Sequence, residues 1–467
     1  MSLTTLYCFY DLQVSPPSYD FLTYIQLAEL HRKRNNLANI FFVFVPGLED
    51  GFRGDNYSKN ISQCHIMMKN VVIPSCWLLP SCKGLAWLEH RDEANFFFEK
   101  ANGYVFPRNY IPQTQIVADY TWPGIVAAYL RNETLTMLRE PLGYSEMISS
   151  LFPDDGRKLI TITIREAPYN TKRNTNCQAW LSFLKVLDSS KYKIVIIPDT
   201  NNLSNGVFEG FEYCRIASLD VSFRAAIYRK AYLNMFQDNG PAFVALFSHS
   251  PLLVIHQVYH ADLGCTEDYF YRVAAIDPYE HHQYAMWQKN QCIVWQPDTS
   301  DVLREVFNRY VEEFPEKAVL SVEGHGFQSN YHKWLSCQVA FEYIKVKSSL
   351  QLEQEDIDTL KAIVSLMPDF VDPKYMLGMI ASKRRAFNEA IQLFDNCLDL
   401  INGEFHTCSD PKSDFYKVFR QSKAEVLEKA NRFDNALHEY IEISKRYPDD
   451  KQVFSKIASL KSKLNFL

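Results

Sequence analysis

The stretch Lys158–Asn176 reads KLITITIREAPYNTKRNTN, and its reading decides the fold. Lys158–Ile164 is β-branched and predicts a strand. Arg165-Glu166 follow directly, and a polar loop, Ala167 to Asn176, leads into a predicted helix around Gln178–Leu187. There Trp180, Phe183, Leu184 and Leu187 fall on one side at helical spacing. Next comes YKIVII, Tyr192–Ile197, a second strand that ends in Pro198-Asp199-Thr200. Strand, loop, helix and strand make a βαβ unit, whose parallel strands need helices over both faces.

Downstream, the spacing predicts a helix at about Ser222–Met235 and then the break Asp238-Asn239-Gly240-Pro241. A short helix from Pro241, strands at Leu252–Ile255 and Cys292–Trp295, and a closing helix at Asp301–Glu313 complete this part. Upstream, Leu3–Tyr10 is a short apolar strand, Ser18 can cap a helix from Tyr19 to about Lys33, and Ile40–Val45 is a buried strand stopped by Pro46-Gly47. That is another βαβ unit. Val71–Ile73 and Tyr104–Phe106 read as further strands, and Cys76–Lys83 has no clear pattern.

The chain's 467 residues exceed one ordinary core and suggest about three domains. Hydrophobic content of 47% and charged content of 22% place it in the folded, globular class. A net charge of -6 argues against a nucleic-acid partner, because neutralising phosphates needs a basic surface. The basic clusters His31–Arg34 and Lys383–Arg385 read as solvated helix ends. Eleven scattered cysteines with no CxxC pair suit reduced core thiols and a cytoplasmic location, extending to the inner face of a membrane. Cys64-His65 with Cys76 and Cys82 fit no standard zinc module, so no metal is expected. The N-terminus lacks a signal-peptide pattern, and no run approaches the roughly 18 apolar residues of a membrane span.

From about residue 316 the strand signals stop. Gly378, Ala390 and Phe394 recur, about 46 residues on, as Ala424, Ala436 and Tyr440, followed by Pro448. This resembles tetratricopeptide repeats of about 34 residues, with an insertion of roughly 12 covering Gly403–Ser413. Small residues at matched offsets let paired helices approach, and the ring fills the next groove.

Candidate chemistry gathers at the strand ends. Asn239-Gly240 permits an unusual backbone, and Pro241 suits a helix start, so the amides after it are expected to face an anion. Asp238 and Asn239 suit a ribose or sugar hydroxyl. Arg165, Arg173 and Asn174 suit a diphosphate, because a guanidinium forks onto phosphate oxygens. Asp199 stands at the next strand end for ribose or base. Asp11, Asp20, Glu49 and Asp50, in loops after N-terminal strands, are candidates for one catalytic base. Tyr279-Glu280-His281-His282 lacks a third metal ligand. No P-loop, GxGxxG or GxSxG is present.

The segments YDLQVSPPSYDF, IFFVFVPG, TITIREAPYNTKRNTN and DNGPAF resemble bacterial GT-B-like glycosyltransferases over about residues 1–315. The resemblance implies an α/β fold of two Rossmann-like domains, 1–125 on the acceptor side and 126–315 on the donor side. An all-α tetratricopeptide-like domain, 316–467, follows. It also implies a nucleotide-sugar donor as substrate, no cofactor, and a glycan, lipid-linked or protein acceptor; the repeats would take a protein partner. The chain lacks a catalytic His after the first strand, which leaves sugar and stereochemistry open. Two other readings fit the same residues: a non-catalytic repeat scaffold on a degenerate GT-B-like core, or a nucleotide-sugar epimerase-like enzyme.

Overall fold

The computed structural model describes residues 4–54, 60–108, 110–112, 122–168, 170–204, 206–256, 258, 265–317, 323–347, 352–402 and 414–465. The proposed repeat insertion at Gly403–Ser413 lies outside them. The chain divides into two units, Met1–Tyr129 with Glu133–His332 and Leu130–Asn132 with Lys333–Leu467.

The first unit holds two parallel sheets. In the first, β1 (Thr5–Asp11), β2 (Asn39–Val45), β3 (Cys82–Trp87) and β4 (Val105–Phe106) lie in the order β3-β2-β1-β4. The second contains β5 (Lys158–Thr163), β6 (Tyr192–Ile197), β7 (Glu212–Tyr213), β8 (Leu233–Gln237), β9 (Leu252–Ile255) and β10 (Gln291–Val294). Its order is β10-β9-β8-β5-β6-β7. Numbered from β5 as one, the sheet reads 6-5-4-1-2-3, the order of dinucleotide-binding sheets, with the direction of winding reversing between β5 and β8. The architecture is therefore α/β with two Rossmann-like sheets, GT-B-like as expected, followed by an all-helical unit.

The core of the second sheet explains why KLITITI is a strand. Ile160 and Ile162 are fully buried with Trp180 and Phe183 from the Cys177–Leu184 helix and with Leu303 and Phe307 from the Ser300–Glu313 helix. Each such side chain contributes about 1.5–3 kcal/mol on burial. The buried threonines of β5 are satisfied: Thr161 donates to Asn234 Oδ1 of β8 at 2.7 Å, and Thr163 shares a 2.8 Å hydrogen bond with Tyr228.

Four expectations change. Leu233–Gln237, read in part as the end of a helix, is the central strand β8; the helix stops at Lys230. Val71–Ile73 is helical, inside a π-turn at Met68–Val72 that continues into Ile73–Ser75. There Val71 and Val72 are buried as helix residues, so β-branching did not decide the outcome. Cys82–Trp87 is an edge strand that the sequence hides behind Lys83 and Gly84. The first helix runs Phe21–Arg34 with Asp20, not Ser18, at its N-cap.

His282 stacks on His332 with ring centroids 4.5 Å apart. Each Nδ1 lies 3.4 Å from a backbone N–H, of Asp277 and Gln328 respectively. Burial, aided by the neighbouring His282, pushes His332 down to about 4. Burial also lowers His282, against the opposing carboxylates of Asp277 and Glu280. As pH falls the unfolded chain takes up these protons first, so stability is full above about 6.5 and is lost toward about 4. The loss is at most about 1.4 kcal/mol per pH unit for each ring. Melting temperature followed from pH 7 to 4 should fall through that window, and His332→Phe should flatten the slope.

The second unit carries the repeat pattern. Its helices include Val371–Lys383, Phe387–Asn402, Phe415–Lys429, Phe433–Arg446 and Lys451–Asn465. Phe394 is fully buried, and a Cβ placed on Gly378 would stand 2.6 Å from its ring. Ala424, Ala436 and Tyr440 form the equivalent buried cluster in the next helix pair. Gly378→Val should destabilise this unit by about 1–3 kcal/mol through overpacking, read by chemical denaturation.

Candidate functional site

The chain reversal between β5 and β8 opens a cavity of about 390 Å³ at the carboxyl ends of the strands. Arg165 follows β5, Asp199 follows β6, Asp238 and Asn239 follow β8, and His256 follows β9; all line it. The facing wall comes from the first sheet's side, where Tyr19 and Asp20 end the loop after β1. The two sides meet closely at Gly240: a Cβ there would stand 2.6 Å from the Tyr19 ring.

Of the donor candidates, Arg165, Arg173, Asp199, Asp238, Asn239, Gly240 and Pro241 line this cavity, and Asn174 does not. Asn174 instead braces the loop after β5: its side chain bonds Ala167 N and O at 3.1 and 2.9 Å and accepts from Arg165 Nη1. Arg165 Nη1 also donates to Asn170 O at 3.0 Å, which holds that guanidinium in place. Arg173 Nη2 donates to Asp238 Oδ2 at 2.7 Å. Asp199 fixes its own loop by accepting from Glu166 N and Asn201 N, each at 2.9 Å.

The helix after Pro241 spans only the six residues Ala242–Phe247, with Pro241 at the N-cap. The N–H groups of Ala242, Phe243 and Val244 bond the carbonyls of Asn239, Gly240 and Pro241 at 3.0–3.2 Å. Those amides are engaged in a tight turn and do not face an anion as expected, so the positive lining of the cavity comes from guanidiniums. Both side-chain heteroatoms of Asn239 are buried with no hydrogen-bond partner among the described residues.

Among the base candidates, Asp20 alone lines the cavity. It is exposed, and its Oδ2 accepts from Ser18 Oγ at 2.7 Å. Asp11 is buried and gripped by both terminal nitrogens of Arg91 at 2.7 Å. Glu49 and Asp50 are exposed in a tight reverse turn at 47–52, away from the cavity lining.

Sequence reasoning missed Arg224. It lies in the Val221–Lys230 helix, is 2% exposed, and lines the cavity. Its Nε donates to Ala217 O at 2.6 Å and its Nη1 to Tyr228 Oη at 3.2 Å, and among the described residues it has no carboxylate partner. The same Tyr228 hydroxyl reaches Thr163, so β5 itself braces the guanidinium. Tyr19, beside it, is pushed up to about 12 by burial, with Arg224 opposing. The signal for Arg224 was absent because Val221–Tyr228 are all buried, and no polar face singles the arginine out.

Burial opposes the charge on Asp238, but His256 and Arg173 outweigh it and hold the carboxyl well below the usual range. Among the described residues, Asp238, His256 and Cys265 are the one group whose potential metal-ligating atoms lie within 4.8 Å of each other. Cys64, His65, Cys76 and Cys82 do not converge in this way. The other end of the cavity is aromatic: Trp122 meets Tyr284 edge-on at 5.1 Å, and Tyr284 stacks on Trp287 at 4.6 Å.

No protein-family model and no curated protein sequence matches the chain. Among solved structures, it is similar to the E. coli ADP-heptose lps heptosyltransferase II, at 11% identity over 66% of this chain and 99% of that one, with a TM-score of 0.41. A family 9 glycosyl transferase from Veillonella parvula shares 12% identity over 75% of this chain and 98% of its own, with a TM-score of 0.39. A tetratricopeptide protein of Thermus thermophilus shares 15% identity over 34% of this chain and 89% of its own, with a TM-score of 0.20. At that distance the architecture rests on the strand orders and helix pairs described above, and chemistry rests on the cavity. Among the described residues no helix is long and apolar enough to cross a membrane.

Proposed function

We propose that this chain is a glycosyltransferase that takes a nucleotide sugar into the cavity between its two parallel sheets. One observation carries the reading: Arg224 is buried at the cavity wall with no carboxylate in ion-pair contact among the described residues, and Arg165 and Arg173 line the same cavity. A guanidinium buried with neutral hydrogen-bond partners and no ion pair among the described residues keeps a desolvation cost that an anionic ligand lowers. A diphosphate offers the planar, multi-oxygen partner that guanidiniums bind best.

In this reading Arg165, Arg173 and Arg224 hold the donor diphosphate, with Asp199 and Asn239 offered to hydroxyls. Asp20 faces it and accepts the proton of an acceptor hydroxyl as that oxygen attacks the anomeric carbon. The bond from that carbon to the diphosphate oxygen breaks, and its electron pair leaves on the nucleoside diphosphate, where the guanidiniums stabilise it. A single displacement of this kind inverts the anomeric centre. The acceptor is a glycan, lipid-linked or protein hydroxyl, and the helical unit recruits it or a protein partner.

The test is donor turnover. Full-length chain incubated with a panel of nucleotide sugars should release the nucleoside diphosphate from one of them, faster when an acceptor is supplied. An epimerised sugar nucleotide formed from donor alone would assign the cavity to epimerase chemistry instead.

A further inference from the structure

Asp238, at the end of β8, and His256, at the end of β9, line the cavity and meet the fully buried Cys265. His256 Nδ1 lies 3.2 Å from Asp238 Oδ2, and Cys265 Sγ lies 3.4 Å from the same oxygen. All three donor atoms fall within 4.8 Å of one another. Thiolate, imidazole and carboxylate are the donors zinc takes. A tetrahedral site with Zn–S of about 2.3 Å and Zn–N or Zn–O of about 2.0–2.1 Å has ligand-to-ligand edges of roughly 3.3–3.6 Å. Both measured edges stand within a few tenths of an ångström of that range.

The second observation is His256 itself. The residue is 3% exposed, yet both ring nitrogens are buried without a hydrogen-bond partner among the described residues. Leaving such a group unmade costs about 1–3 kcal/mol. Its Nδ1 stands 3.2 Å from Asp238 Oδ2, an ion-pair contact that leaves Nε2 unpartnered among the described residues. Phe270 and Trp295 fix the ring by edge-on contacts at 5.0 and 5.2 Å. Arg173, 2.7 Å from Asp238 Oδ2, then serves as an outer partner that orients the carboxylate.

We propose that Asp238, His256 and Cys265 are three ligands of a zinc ion whose fourth position opens onto the cavity. Thiolate and carboxylate together neutralise the ion, and an open position lets it polarise an oxygen of whatever anion enters. The proposal goes beyond the sugar-transfer reading and stands without it.

The test uses the full chain purified without added histidines, incubated with excess Zn²⁺, desalted, and analysed for metal by mass spectrometry. About one zinc per chain is expected to remain. Cys265→Ser and His256→Asn should each reduce it to background, while Cys292→Ser, a thiol elsewhere in the fold, should keep it. Co²⁺ loading should give a thiolate-to-cobalt band in the near ultraviolet that Cys265→Ser removes. A wild-type chain with neither retained zinc nor that band overturns the proposal, even if a variant fails to fold. So does zinc that survives in both ligand variants. Nucleotide binding, read on the same samples, separates this outcome from any failure of the transferase reading.

Discussion

Arg224→Met should abolish nucleotide binding and leave the ligand-free protein at least as stable as the wild type. The guanidinium is 2% exposed, faces the cavity, and has only the Ala217 carbonyl and the Tyr228 hydroxyl as hydrogen-bond partners among the described residues. Removing a buried charge that meets a ligand anion costs about 2–5 kcal/mol of binding, so the nucleotide Kd should rise at least ~30-fold. Stability should move the other way. Replacing a buried charge that has no ion-pair partner by an apolar side chain of similar length removes its desolvation cost. The lost bond to Ala217 O takes back about 1 kcal/mol. Thermal melts with and without nucleotide read both effects. A variant that melts far below wild type yet still binds nucleotide would make Arg224 a structural residue.

Asp20→Asn should lower turnover by about 10²- to 10⁴-fold, the usual worth of a general base, while the donor Kd changes little. Asp20 caps the Phe21–Arg34 helix without a side-chain cap bond, so its replacement should move stability by no more than about 0.5 kcal/mol. Asp11→Asn makes the contrast. Asp11 is buried against Arg91, and breaking a buried pair costs about 3–5 kcal/mol, so this variant should lose stability first. If Asp20→Asn turns over donor normally, the base lies elsewhere.

The sequence patterns that reported the fold were those in which apolar period and turn chemistry agreed. KLITITI and YKIVII are flanked by polar loops, and both are strands in register, Lys158 opposite Tyr192 through Thr163 opposite Ile197. LNMFQ was hidden because it follows a helix buried on every side, Val221–Tyr228, so helix and strand present the same unbroken buried run. The site was legible where a residue stands directly after a strand, as Arg165, Asp199 and Asp238 do. Arg224 and Cys265 were not, since tertiary packing that no local spacing encodes brings Arg224 to the cavity and Cys265 to Asp238. Asp11, Glu49 and Asp50 shared the charge of Asp20 and a place at the end of a strand, and only the course of the chain after β1 and β2 separates it from them.

Calorimetric titration of the full chain with UDP, GDP, CMP and ADP tests the central claim most directly. One of the four should give a saturable one-site isotherm that Arg224→Met removes. Heats indistinguishable from dilution for all four, on folded protein, would contradict a nucleotide-sugar site in this cavity.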